Sequence, residues 1–178
     1  MAGLIWSVVG DACLVYPSSF ELGVVAFGIA HCYFIRAFGF HPLNLTVGVI
    51  LYSSVGAYLG LVVMPRLPED LLSRVGMPVY FALLTTTAWR ALARAWEGPS
   101  EPWGGAGQRY LTALGALLFV VSDCIIVYNL YVRPLEAQQF LIMSTYYAAQ
   151  FLISLSARQI VYESRIHTEL AEEYFKGY

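Results

Sequence analysis

Charge is what this sequence most lacks. Only 12% of its 178 residues are Asp, Glu, Lys or Arg, against 58% hydrophobic, whereas soluble domains carry about 25% charged residues. A water-soluble fold of this size could not cover its surface with so little charge. The formal net charge is −2 and there is no basic stripe, which excludes a nucleic-acid-binding surface. The cysteines are few and unpaired in spacing. Cys13, Cys32 and Cys124 stand in apolar runs without a CxxC, so they read as small buried hydrophobes rather than disulfides or zinc ligands. Catalytic signatures of the common kinds are missing too: no GxSxG elbow, no HExxH and no Gly-rich phosphate loop. His31, His41 and His167 lack metal-ligand spacing with carboxylates, so no metal and no organic cofactor is expected. A cleavable leader is not expected either, because Met1 to Tyr16 has no basic segment and carries Asp11 in its middle.

What is present is a succession of long apolar runs. A helix needs about 20 mostly apolar residues to cross a bilayer. Candidates are Leu22 to Gly39, Leu43 to Met64, Val75 to Trp89, Tyr110 to Val132 and Ala137 to Ala157. Arg74 and Arg90 bracket the third and are expected to snorkel. With the first segment this predicts an all-α, polytopic transmembrane bundle of six helices over residues 1–160, followed by a polar cytosolic tail, 161–178. Breaks are expected at Tyr16-Pro17-Ser18-Ser19, His41-Pro42, Met64-Pro65 to Pro68, Gly98-Pro99 to Gly107, and Arg133-Pro134. Tyr33, Tyr52, Tyr58, Trp89, Trp96 and Trp103 suit interfacial belts. Arg36, Arg90, Arg94, Arg109, Arg158, Arg165 and Lys176 fall on one side of this arrangement, and Arg66, Arg74 and Arg133 on the other. That asymmetry predicts both termini in the cytosol. The first segment gives only about 24 Å of helix before Pro17, short of the roughly 30 Å hydrocarbon core.

The chain also repeats itself. Gly3, Val8, Val9, Asp11, Val15 and Tyr16 recur as Gly115, Val120, Val121, Asp123, Val127 and Tyr128, at one offset of 112 residues. Gly10 and Ser122 are the small residues before each aspartate. Ala30-His31 is echoed more weakly by Ala149-Gln150. Repeats four helices apart share one membrane orientation, a parallel pair. A four-helix period predicts eight helices where six are visible, so two are expected to be missing at the amino end.

Asp11 and Asp123 are the leading site candidates. Asp123 lies 14 residues after Arg109 and 10 before Arg133, near mid-membrane. A carboxylate at that depth costs at least about 2.5 kcal/mol and faces a bundle interior or a polar cavity. The repeat places both carboxyl groups at similar depth. Around them His31, Ser122, Tyr146, Tyr147 and Gln150 are candidates to bind substrate or orient water, with Tyr147 and Gln150 three apart and on one face. Asn129, like Ser122, suits either the cavity or a bond between helices. The alternative for each is a hydrogen bond between helices that only holds the bundle together. Proton-coupled carriage also suits parallel repeats and midplane acids, although matching Gly/Pro interruptions are absent from the two repeats; a third reading is a non-catalytic membrane partner, if the missing helices abolish the site.

Taken jointly, Val9-Gly10-Asp11-Ala12-Cys13-Leu14, Ala30-His31-Cys32-Tyr33, Ala37-Phe38-Gly39, Gly115 to Phe119 through Ser122-Asp123, and Ser144 to Gln150 resemble the lysoplasmalogenase (YhhN-like) family. The resemblance covers Gly3 to about Arg158 and departs from the family's eight helices by two at the amino end. It implies a multi-pass protein of the endoplasmic reticulum. It also implies a lysophospholipid substrate, whose vinyl ether bond is hydrolysed to a fatty aldehyde and glycerophosphocholine or glycerophosphoethanolamine. The family's two aspartates match Asp11 and Asp123. A vinyl ether hydrolyses through an oxocarbenium ion, so the site needs an acid and a negative group. Two carboxyls in one apolar site divide those roles, as they do in glycosidases.

Overall fold

A computed structural model describes residues 2–96 and 106–155. The expectations for Gly98 to Gly105, Trp103, Arg158, Arg165, His167, Lys176 and the tail therefore lie outside the described residues. Six helices are described: α1 Ala2–Leu14, α2 Phe20–Phe38, α3 Leu45–Ala57, α4 Met77–Trp96, α5 Ala106–Tyr131 and α6, 138–155. Among the described residues there is no strand, and the chain is an all-α membrane bundle.

Each break follows from local chemistry. Pro17 fixes its own φ and has no N–H, and the chain turns through a short 3-10 segment, Pro17–Ser19, into α2. At the end of α2, Gly39 takes φ 67° and its N–H closes on the Ile35 carbonyl at 2.9 Å, a left-handed position that suits glycine. The His41-Pro42 bond is cis. Asn44 then caps α3, its side-chain oxygen accepting from the Val47 N–H at 3.2 Å. Beyond Ala57 the helix widens into π geometry over Tyr58–Val63 and tightens to 3-10 over Met64–Arg66, so this span reaches past the break expected at Met64. A second widened turn, Leu72–Gly76, precedes α4. It sits directly before Pro78, which has no N–H to give the preceding turn. Gly107, expected in a loop, lies inside the first turn of α5. The α5–α6 turn at Arg133-Pro134 is held by Asn129, whose side chain accepts the Leu135 N–H at 2.9 Å.

Among the described residues, three helices are long and apolar enough to cross a membrane: Phe20–Phe38, Leu45–Arg66 and Gly107–Tyr131. α1 has 13 residues and is about 20 Å long. α4 matches the spans in length, with 20 residues, but is more polar because it is the central helix. It packs on α2, α3 and α5 and buries Thr85, Thr87 and Arg90 with Tyr80, Phe81, Leu84 and Ala88. The outer faces are apolar instead: Ile5, Val8, Val49, Leu61, Phe140 and Phe151 are all exposed. Contiguous surfaces of that kind belong against lipid rather than water.

Arg90 is the clearest departure from expectation. It does not snorkel; it is completely buried. Its guanidinium donates to the carbonyls of Gly39 (2.7 Å), Leu43 (3.2 Å) and Pro42, and stacks near Phe40 and Trp89. Trp89 Nε1 donates to the Asn44 carbonyl at 3.0 Å. The α2–α3 loop is thus folded onto α4, its carbonyls satisfied by a planar cation. Two aromatics assigned to belts also tie helices together. Tyr52 bonds Thr86 of α4 at 2.6 Å, and Tyr58 donates to the Cys124 carbonyl of α5 at 2.7 Å. Tyr33 and Trp96 are exposed.

The repeat is visible as packing. α1 meets α2 so closely at Gly3 that an added Cβ would stand 2.6 Å from the Phe34 ring. α5 meets α6 in the same way at Gly115, where a Cβ would lie 2.9 Å from Ile153. Gly115 follows Gly3 by 112 positions and Ile153 follows Phe34 by 119. A second pair obeys the same two offsets. The Gly10 carbonyl lies 3.4 Å from where a Gly23 Cβ would stand, and the Ser122 hydroxyl reaches the Ile142 carbonyl at 3.4 Å. Ala30 and Ala149, the weak echo in the sequence, share the 119 offset and are both completely buried.

Candidate functional site

Five of the six helices surround one cavity of about 290 Å³. α1 contributes Asp11 and Leu14, α2 Phe20, Val24 and Phe27, and α4 Met77 and Tyr80. α5 adds Asp123, Ile126 and Val127, and α6 adds Ile142, Met143, Tyr146 and Tyr147. α3 stands outside this ring, against α4, and reaches α5 through Tyr58 at the residue next to Asp123.

The two aspartates lie on the same cavity, although 112 residues separate them in the chain. Each is held by a tyrosine from a different helix. Tyr146 donates to Asp11 Oδ2 at 2.8 Å, and the Gln150 amide donates to the Tyr146 oxygen at 3.0 Å. Tyr80 donates to Asp123 Oδ2 at 2.5 Å. The environments differ: Asp123 is 7% exposed, whereas Asp11 is only half-buried. The local sequence explains the placement. Gly10, immediately before Asp11, leaves no Cβ, so the Phe27 ring of α2 packs where one would lie only 2.6 Å away. Phe27 then stands edge-on to Phe119 and Tyr146, with centroids 6.0 and 6.1 Å apart. Phe27 and Tyr146 line the cavity, and Phe119 packs against both.

The remaining candidates are distributed unevenly. Tyr146 and Tyr147 line the cavity. Gln150 is bonded to Tyr146, one helical turn away, rather than paired with Tyr147 on the face expected from their spacing. Tyr147 is exposed on its outer side. Ser122 is completely buried in the α5–α6 contact and does not line the cavity. His31 is not a lining residue either. It sits behind the site, Nδ1 near the Thr87 hydroxyl at 3.2 Å, its ring 5.7 Å from Tyr80 and 5.0 Å from Phe119. Its Nε2 is buried without a hydrogen-bond partner.

Tyr80 is the site residue that the sequence does not announce. It stands in the apolar run Val79 to Leu84, outside both repeated segments, where a tyrosine reads as packing or an interfacial anchor. Only the packing of α4 against α5 brings its hydroxyl to Asp123. As chemistry, the arrangement offers two carboxyl groups, each with one oxygen fixed by a phenol, in an enclosure otherwise lined by aliphatic and aromatic carbon. Such a cavity can donate a proton at one edge and stabilise positive charge at the other.

The YhhN family matches residues 1–157, which include every residue of the cavity. Lysoplasmalogenase TMEM86B of Homo sapiens is 38% identical over 154 residues, covering 86% of this chain and 61% of that protein. Its Sus scrofa counterpart is 40% identical over 156 residues, covering 88% and 62%. Lysoplasmalogenase TMEM86A of Homo sapiens is 36% identical over 160 residues, covering 87% and 63%. This chain therefore spans about three-fifths of the length of these relatives. No solved structure matches it. With the match running through all six helices, the chain belongs to the YhhN family.

Proposed function

We propose that this protein is a lysoplasmalogenase, hydrolysing the vinyl ether bond of alkenyl-glycerophosphocholine or alkenyl-glycerophosphoethanolamine. The observation that carries the reading is the convergence of Asp11 and Asp123 on one cavity, each anchored by a phenol. The names of the relatives supply the reaction.

In this mechanism one carboxyl group gives its proton to the β-carbon of the vinyl ether, and the double bond's electron pair forms the new C–H bond. The α-carbon and ether oxygen become an oxocarbenium ion, which the second carboxylate stabilises. Water adds to the α-carbon and loses a proton to the carboxylate that acted as acid. The hemiacetal then collapses, its hydroxyl proton passing to the departing glycerol oxygen, and a fatty aldehyde leaves. One water is consumed and the acid ends protonated, as it began. The two carboxyls act as a coupled pair. Tyr80 and Tyr146 aim them, and Gln150 aims Tyr146. Tyr147 flanks the substrate's polar end from α6. His31 backs Tyr80, and Ser122 secures α5 on α6. The step requires no metal or organic cofactor. The membrane supplies the substrate, and the reading places the protein in the endoplasmic reticulum with both termini in the cytosol.

The test is aldehyde release from a lysoplasmalogen by the purified chain in detergent, where no gradient exists. Turnover above that of a variant with both aspartates changed to Asn is expected. A folded chain that releases no aldehyde contradicts the assignment and leaves proton-coupled carriage or a non-catalytic membrane role.

A further inference from the structure

The aspartate cavity has a neighbour. Between the outer faces of α2 and α4 runs a second hollow of about 360 Å³, lined by Val25, Gly28, Ile29 and Cys32 on one side and by Val79 and Leu83 on the other. Phe20, Val24, Met77 and Tyr80 line both hollows, so they form a wall one side chain thick. The groove is amphiphilic along its length. Its polar groups, Glu21, Ser73 and Tyr131, stand at the end where α2 and α4 begin and α5 finishes. From Val24 to Cys32 its α2 side is apolar apart from the cysteine. Eleven residues separate Glu21 from Cys32, so the groove runs about 17 Å along the helix.

Resting on the lysoplasmalogenase reading, we propose that this groove holds the hydrocarbon chain of the lipid whose vinyl ether is presented to Asp11 and Asp123. Volume argues for two chambers. Sites for drug-sized ligands occupy about 300–1,000 Å³, and the aspartate cavity alone, at about 290 Å³, stands at the bottom of that range. A lysolipid carries a headgroup and a long chain, and the two hollows together accommodate what the first cannot. Adjacency argues for the route, because Tyr80, the side chain that holds Asp123, is part of the shared wall. Met77, unbranched and adaptable, is the part of the wall best able to let a chain pass. Gly28 keeps the middle of the groove open. A Cβ there would meet only Leu83, at 3.8 Å, so larger side chains fill the groove without entering the core. Val25 is 53% exposed and lines the same trough.

Cys32, exposed in the groove, provides a readout independent of catalysis. With Cys13 and Cys124 changed to Ser, its maleimide labelling rate in detergent is measured against hexadecyl and octyl ether lysophosphatidylcholines, which lack the double bond and are not consumed. Burial of each methylene is worth about fourfold in affinity, so the hexadecyl lipid is expected to protect Cys32 at a concentration at least about tenfold lower. Glycerophosphocholine alone is expected to give no protection. Gly28→Leu and, on the exposed rim, Val25→Trp are expected to abolish the chain-length dependence and to slow turnover of long-chain more than short-chain lysoplasmalogen. Protection that is absent, indifferent to chain length, or unchanged in both variants overturns the proposal, because the groove then holds only bulk detergent or lipid. Protection without aldehyde release would uphold the groove while refuting the hydrolase reading on which the choice of lipid rests.

Discussion

Single side chains, Tyr80 and Tyr146, hold the two carboxyl groups that line the cavity. Asp11 and Asp123 are legible in the sequence because charge is so scarce around them and because the same apolar frame surrounds both. Their partners are legible only in part. Tyr146 stands out beside Tyr147 and Gln150 as polar residues in an apolar helix, but the bond that forms joins Tyr146 to Gln150 and then to Asp11. Tyr80 has no such context, and its hydroxyl finds Asp123 through tertiary packing alone. Tyr80→Phe keeps the ring against His31 and removes only the donor. It is expected to lower turnover on lysoplasmalogen by about tenfold or more while Tm stays within a few degrees, since one charge-assisted hydrogen bond is worth about 1.5–3 kcal/mol. Unchanged kcat in this variant would show that Asp123 needs no anchor. Arg90 illustrates the opposite limit. In sequence it is an arginine at the end of an apolar run, and snorkelling is the natural reading. Three carbonyls of a loop 47–51 residues away hold it inside instead, which no local pattern records.

Helix limits were largely legible, because each turn is made by proline, glycine or a capping asparagine whose effect is local. Where the helices depart from expectation the cause is also local: α3 runs on to Arg66 through widened and tightened turns, and a widened turn precedes Pro78 before α4. α4 was harder to read as the centre of the bundle. Its threonines and arginines make it the least apolar of the long helices, yet they face inward, and its packing on α2 joins helices that are not neighbours in the chain. The repeat bridges sequence and packing. Gly3 and Gly115 occupy equivalent contacts, α1 on α2 and α5 on α6, so substitutions at the two positions should behave alike. Gly3→Val and Gly115→Val are each expected to cost about 1–3 kcal/mol through overpacking. Thermal denaturation in detergent checks this, and a variant whose Tm does not fall would show that its helix pair is not locked by that contact.

For the molecule as a whole, the cavity is a product of ring closure. α1 and α5 bring the acids, α6 closes the ring by bonding back to α1, and α4 supplies the anchor for Asp123. The repeat made a common place for the two aspartates foreseeable, and both line one cavity; the aromatic contacts of Phe27 and the adjoining α2/α4 groove were not, since both depend on side chains meeting across helices. The claim that both carboxyls carry the chemistry is tested most directly by making Asp11→Asn and Asp123→Asn separately and measuring aldehyde release from lysoplasmalogen, with thermal denaturation as the check on folding. Asparagine preserves shape but can neither give the proton nor bear the negative charge, so each variant is expected to lose at least about a hundredfold in kcat. Near-full turnover by either folded variant would contradict the two-carboxyl account.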